Sequence, residues 1–218
     1  MRKPKGLRSN GNLASHLAGH GHAQHSRQRL AVLSGVSQMK NNFDKCLAML
    51  LHHEGGFTDD VRDPGNNGDG HGNRGSTNLG VTAKVWAEWT KKPAPIEVMK
   101  ALTADDIGVM YRKKYWDRVK ADNLPEGLDW TCYDWCVNSG KSRVSKALQR
   151  IIAAKADGSI GPATLTLVAD HDPVELIEKM FDVRQSFYEG LSTFDTFGRG
   201  WTRRNKETLE QSLTMAGE

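Results

Sequence analysis

Three side chains have the types and the spacing to do chemistry together: Glu54, Asp63 nine residues later, and Thr77 in the following STNLGVT. Cleaving a glycosidic bond takes one carboxylic acid that is protonated when it meets the leaving oxygen. It also takes a second group that steers water or supports the charge growing on the sugar. Glu54 ends an apolar, helix-like run, where unsatisfied carbonyls and the negative end of the helix dipole disfavour its anion. Leu50, Leu51 and Phe57 add desolvation in the same direction. The bland alternative is an exposed helix-end residue, but a carboxylate there is electrostatically unfavourable and asks for a reason. Asp63 precedes Pro64-Gly65 on a turn that can fold back over the helix end, with Asp59 and Asp60 as substitutes for it.

The elements that must hold these groups are helical. From Asn42, the residues Phe43, Cys46, Leu47, Leu50 and Leu51 follow the spacing of one buried helix face, and Gly55-Gly56 is a natural left-handed stop. A run crowded with Gly, Asp and Asn then lasts until Val81, with a short hairpin only weakly signalled in 57–82. An irregular loop of that length inside a compact domain is usually either functional or misassigned. Short helices are expected near 83–90 and 95–101, and Thr103 with Asp106 forms a capping box ahead of Ile107, Met110, Tyr111 and Tyr115. GLDWTCYDWCVNSG is apolar almost all round and predicts a buried central helix ending at Asn138-Ser139-Gly140. SRVSKALQRIIAA carries a further stripe, Pro162 opens another helix after the DGSIG turn, and DPVELIEKMFDVRQSFYEGL and GWTRRNKETLEQSL end the chain as helices. The fold class is mainly α, with one long irregular excursion.

Composition narrows the rest. The formal charge of +4 belongs to residues 1–40, which hold seven Lys/Arg and no acid; the remainder has 23 basic against 26 acidic groups. That balance speaks against nucleic acid as a partner of the body. Residues 1–40 read as a basic disordered tail carrying His16, His20, His22 and His25, and Met39 reads like a natural start. Apolar runs are too short for a membrane span, and LASHLAGHGHAQ is too interrupted for a signal-peptide core. The expectation is synthesis in the cytoplasm without a signal peptide. Cys132 and Cys136 share a helix face, but no second pair has matching spacing, so buried free thiols are preferred over a metal site.

HEGGF, DPG and TNLGVT, in that order, resemble the signature of glycoside hydrolase family 108, N-acetylmuramidases found as phage endolysins and in bacterial muramidase-dependent secretion. The Glu–Asp–Thr order is similar to the catalytic arrangement of phage-type lysozymes. RKKYWDRV at 112–119 resembles that family's Tyr-Trp helix. DWCVNSGKSRVSKALQRIIAAKADGSIGPATL and FGRGWTRRN resemble the predicted peptidoglycan-binding region paired with it, so the likeness spans about residues 42–213.

The resemblance implies a lysozyme-like helical domain with a catalytic lobe at 41–122 and a peptidoglycan-binding lobe at 123–218 packed on it. Glu54 falls on the proposed general acid, and Asp63 and Thr77 fall where related enzymes position or activate water. Asn78, Trp116, Tyr133 and Asn138 are the substrate-binding candidates. Trp130, Tyr133 and Trp135 can serve as core and, on one edge, as a sugar platform, with core the safer reading for most of them, and Asn138 is equally a helix cap. No cofactor and no metal are implied. The substrate would be the β-1,4 MurNAc-GlcNAc bond of peptidoglycan, cleaved by a monomer that reaches the wall through a holin or an export system. A lytic transglycosylase or a non-catalytic peptidoglycan-binding module are the alternatives. This chain departs from the family in NNGDGHGNR, residues 66–74, inserted between DPG and the Thr. The insertion has the look of a calcium loop but lacks the closing Glu, so a flexible glycine-rich loop is expected there.

Overall fold

The computed structural model describes residues 42–217. The tail at 1–40, its four histidines and Met39 lie outside the described residues. Helix α1 (Asn42–His53) buries Phe43, Cys46, Leu47 and Leu50, the stripe its spacing predicts. It does not stop on a left-handed glycine, because neither Gly55 nor Gly56 has a positive φ. Instead Glu54 N–H bonds back to Leu51 O at 3.2 Å, and the chain leaves extended, so that Thr58 pairs with Thr77. Strands β1 (Thr77–Asn78) and β2 (Val81–Thr82) form an antiparallel hairpin, Thr77 opposite Thr82 and Asn78 opposite Val81. Its two turn residues, Leu79 and Gly80, have φ of 52° and 74°, the hand that suits the twist of a two-residue hairpin.

Thr82 caps α2 (Ala83–Thr90), and α3 (Ile96–Lys100) follows. Thr103 and Asp106 make the reciprocal capping box that opens α4 (Ala104–Tyr111), which continues into a π turn at Arg112–Trp116. Helix α5 (Leu128–Ser139) is buried from Leu128 through Cys136 and packs against α1, α6 (Lys141–Ile151), α8 (Pro173–Glu189) and α9 (Phe194–Ala216). Each large apolar side chain fully enclosed there contributes about 1.5–3 kcal/mol. Pro162 occupies the first turn of α7 (Pro162–Val168). A single apolar cluster runs from Phe43 to Met215, through both expected lobes. Among the described residues, no helix is long and apolar enough to cross a membrane.

Helix α9 begins six residues before the GWTRRN start expected from sequence. Gly198 sits inside it beneath the ring of Phe194, where a Cβ would come within 2.6 Å of the ring carbons. Cys46, Cys132 and Cys136 are buried free thiols, and burial pushes the Cys136 thiol up to about 11.

Candidate active site

Glu54 lies just past the end of α1, and its carboxyl meets two other elements. Oε1 accepts from Arg204 of α9 at 3.2 Å (Nη1) and 3.3 Å (Nη2). The sequence places only bare helix carbonyls beside Glu54; the structure adds a guanidinium. Oε2 faces the hairpin turn, where a Cβ on Gly80 would stand 2.8 Å from it and 2.9 Å from the Tyr111 hydroxyl. Tyr111 donates to Leu79 O at 3.2 Å and so holds that turn against α4. The side chains of Glu54 and Arg204 remain 22% and 17% exposed, enough for a ligand to reach the carboxyl.

Behind Arg204 stands a second carboxylate. Asp134, fully buried in α5, accepts from Arg204 Nε at 3.0 Å and Nη2 at 2.8 Å through one oxygen. Its other oxygen lies 2.7 Å from Arg184 Nη2, an ion pair that is close but not aligned as a hydrogen bond. Burial alone would raise the Asp134 carboxyl, but Arg184 and Arg204 outweigh it and hold the group below the usual range. His53, next to Glu54, has Nδ1 3.5 Å from Glu207. Burial, and after it Arg204, pushes this imidazole down, so at neutral pH the contact joins a neutral ring to a carboxylate.

Asp63 and Thr77 come together at Gly65, where a Cβ would be 3.2 Å from Asp63 Oδ1 and 3.7 Å from Thr77 Oγ1. Asp63 is exposed and caps the 3-10 turn Pro64–Asn66, accepting from Gly65 N at 2.8 Å. Thr77 donates to Asn66 Oδ1 at 2.8 Å, and the Asn66 amide in turn donates to Asp60 O. The substitutes for Asp63 are already engaged by cations, Asp60 by Arg62 at 2.6 Å and Asp59 by Arg74 at 3.7 Å. Asp63 takes part in none of the ion pairs formed among the described residues.

Burial corrects three of the other expected sugar contacts, Trp116, Tyr133 and Asn78, and leaves Asn138 accessible. Trp116 and Tyr133 are fully enclosed, their rings 5.3 Å apart, and Trp116 Nε1 donates to Asp122 at 2.8 Å, so neither offers a face to a sugar. Asn78, only 6% exposed, spends its amide on Met99 O and ties β1 to α3. Asn138 is exposed and turned back onto Asp134 O at 2.7 Å, the cap reading.

The 66–74 insertion, expected as a flexible glycine-rich loop, is built around one buried side chain. It is tied around Asp69, which is 2% exposed and accepts from His71 N, Asn73 N, Asn73 Nδ2 and, across to the segment before α3, Ala94 N at 2.8 Å. Burial opposes the Asp69 charge, yet these donors outweigh it and hold the carboxyl well below the usual range.

Sequence reasoning missed Arg204, Asp134, Arg184 and Gly80. The one available signal was Asp134 itself, an acid inside an otherwise apolar helix, which is tolerated only when paired.

Helices packed about one buried helix, with a carboxyl at a helix end facing a short hairpin, define a mainly α, lysozyme-like glycoside hydrolase. The glycosyl hydrolase 108 family model matches residues 47–140, and the model of a predicted peptidoglycan domain matches residues 143–206. The structure of SagA from Brucella abortus is similar at 33% identity and a TM-score of 0.69, over 82% of this chain and 98% of that one. No curated protein matches the sequence. The chain belongs to the glycosyl hydrolase 108 family and is a peptidoglycan hydrolase.

Proposed function

We propose that the protein hydrolyses the β-1,4 bond between N-acetylmuramic acid and N-acetylglucosamine, with Glu54 as general acid. The posture of Glu54 carries this reading. Oε1 is held by Arg204, while Oε2 accepts no hydrogen bond from the described residues and looks onto the hairpin turn. A donor to a glycosidic oxygen needs such a free, oriented carboxyl oxygen. Asp63, paired with no cation among the described residues and beside Thr77, is the group that steers water or supports the oxocarbenium-like transition state. The Thr77 proton is committed to Asn66, which leaves its oxygen to receive a water.

Digestion of purified sacculi in heavy-oxygen water, with mass analysis of the muropeptides, tests the bond and the reaction. Labelled reducing MurNAc ends are expected. Anhydro-MurNAc ends would assign a lytic transglycosylase, and binding without release would leave a peptidoglycan-binding module. Glu54→Gln should abolish clearing of outer-membrane-permeabilised Gram-negative cells and leave the fold intact. Asp63→Asn should slow the reaction more than Asp59→Asn or Asp60→Asn.

In its finer form the reading is a phage or prophage endolysin that reaches the wall through a holin or an export system. The likeness of its Glu–Asp–Thr order to phage-type lysozymes supports this. Lysis of an expressing culture only when a holin is coexpressed is the expected result; lysis without one would overturn the dependence.

A further inference from the structure

We propose that Arg204 is the positioning residue of Glu54, so that the segment matching the peptidoglycan domain completes the active site of the segment matching the hydrolase. This rests on Glu54 being the general acid. Arg204 uses two edges of its guanidinium at once, Nε and Nη2 on Asp134 Oδ1 and the Nη1/Nη2 end on Glu54 Oε1. A planar fork bonded on two edges has its plane fixed, and it fixes in turn the carboxyl it grips. An isolated pair as exposed as this one contributes little. Here the far side of the fork is anchored on Asp134, which is fully buried and paired to the buried Arg184. The anchor lies in the central helix α5, and Thr208 Oγ1, one turn after Arg204, stands 3.3 Å from the second Asp134 oxygen. Four charges of alternating sign, Glu54, Arg204, Asp134 and Arg184, thus run from the accessible site into the core.

The consequence is directional. With Oε1 held, Oε2 is turned to the side bounded by Gly80 and Tyr111. The groups facing Glu54 are Arg204 from α9, Tyr111 from α4, Tyr115 from the π turn and His53 on its own segment, with Glu207 behind His53. Of these, Arg204 is the one that grips the carboxyl, so its removal changes the orientation of the acid.

The test uses the full chain as Arg204→Gln, Arg204→Lys and Glu54→Gln, with kcat and KM on dye-labelled sacculi and near-UV circular dichroism as a check of folding. Arg204→Gln is expected to slow the reaction on the order of 100-fold, as a misplaced catalytic group does. The loss should fall on kcat and leave KM nearly unchanged, because the acid is misplaced while the contacts that bind the glycan remain. Arg204→Lys should recover only part of kcat, since one ammonium cannot reproduce the fork. A folded Arg204→Gln protein with an unchanged kcat, or with a loss confined to KM, would overturn the proposal. Should that variant fail to fold, a wild-type rate in Arg204→Lys overturns it equally. Activity retained in Glu54→Gln would instead remove the general-acid reading beneath it.

Discussion

Glu54 and Arg204 are 150 residues apart in the chain and meet at 3.2 Å, and Asp134 holds the other edge of the same guanidinium. Removing the Asp134 charge therefore acts at two distances. It leaves Arg184 in the core without its counter-charge and it frees Arg204 at the site. Breaking a buried pair from one side costs about 3–5 kcal/mol. Asp134→Asn should lose that much in urea unfolding, and its folded fraction should turn over peptidoglycan more slowly than wild type. Unchanged stability would mean that the Asp134–Arg184 pair contributes nothing net.

Gly80 separates sterics from backbone strain. Its φ of 74° is one that L side chains adopt at a cost, and a Cβ would also press on Glu54 Oε2 at 2.8 Å. Gly72 has φ of 90° with nothing within 4 Å of a Cβ. Gly72→Ala should therefore cost only the strain, about 1–2 kcal/mol, and keep its activity. Gly80→Ala should pay a similar strain and in addition lose activity on the order of 100-fold, the scale of a displaced catalytic group. Equal activity of the two variants would show that the space beside Oε2 is not needed.

The Asp69 knot predicts a protected loop. One carboxylate oxygen accepts His71 N and Asn73 N, and the other accepts Asn73 Nδ2 and Ala94 N. An alanine satisfies none of these donors, so Asp69→Ala should expose the peptide bond after Arg74 to trypsin in a protein that is otherwise folded. Because the Asp69 carboxyl is held below the ordinary range, its contribution is present above about pH 4 and is lost only as the pH falls through its depressed value. Wild-type loop protection should thus persist at mildly acid pH. Equal cleavage of wild type and variant would remove the knot as the cause of loop order.

Much of the fold was legible because its signals are local. The α1 stripe, the Thr103/Asp106 capping box and Pro162 at a first turn each need only neighbours in sequence. The start of α9 was not, because Gly198 and Gly200 read as breakers, whereas Gly198 is the residue that fits under Phe194. Likewise the NNGDGHGNR insertion looks flexible until Asp69 finds Ala94, 25 residues away. Of the candidate site, the placing of Glu54 just past a helix end was legible from the apolar run before it. Arg204 was not, since no periodicity links it to a residue 150 positions earlier. Trp116 and Tyr133 misled because an aromatic ring reads alike whether it faces a sugar or a core.

Asp129 provides a pH test of stability that must be separated from catalysis. It is fully buried at the start of α5, accepting from Asn42 Nδ2 at 2.9 Å and Trp130 N at 2.7 Å. Burial, only partly offset by these bonds, pushes its carboxyl up to about 6. The unfolded chain ionises it near the ordinary aspartate value of about 3.9. Between those values the folded state keeps a proton that the unfolded state has lost, so stability falls as pH rises from about 4 to about 6. Above that window the native state carries a burden on the order of 3 kcal/mol. Asp129→Asn, with the Asn42 amide turned to suit, should match wild type at about pH 4 and exceed it at about pH 7.5 in urea unfolding. A stability difference that does not change with pH would show that Asp129 does not titrate in this way. The window overlaps the range in which a carboxylic general acid gives up its proton. A pH–rate profile that is the same in Asp129→Asn is set at the site, and one that changes is set by unfolding of the wild type.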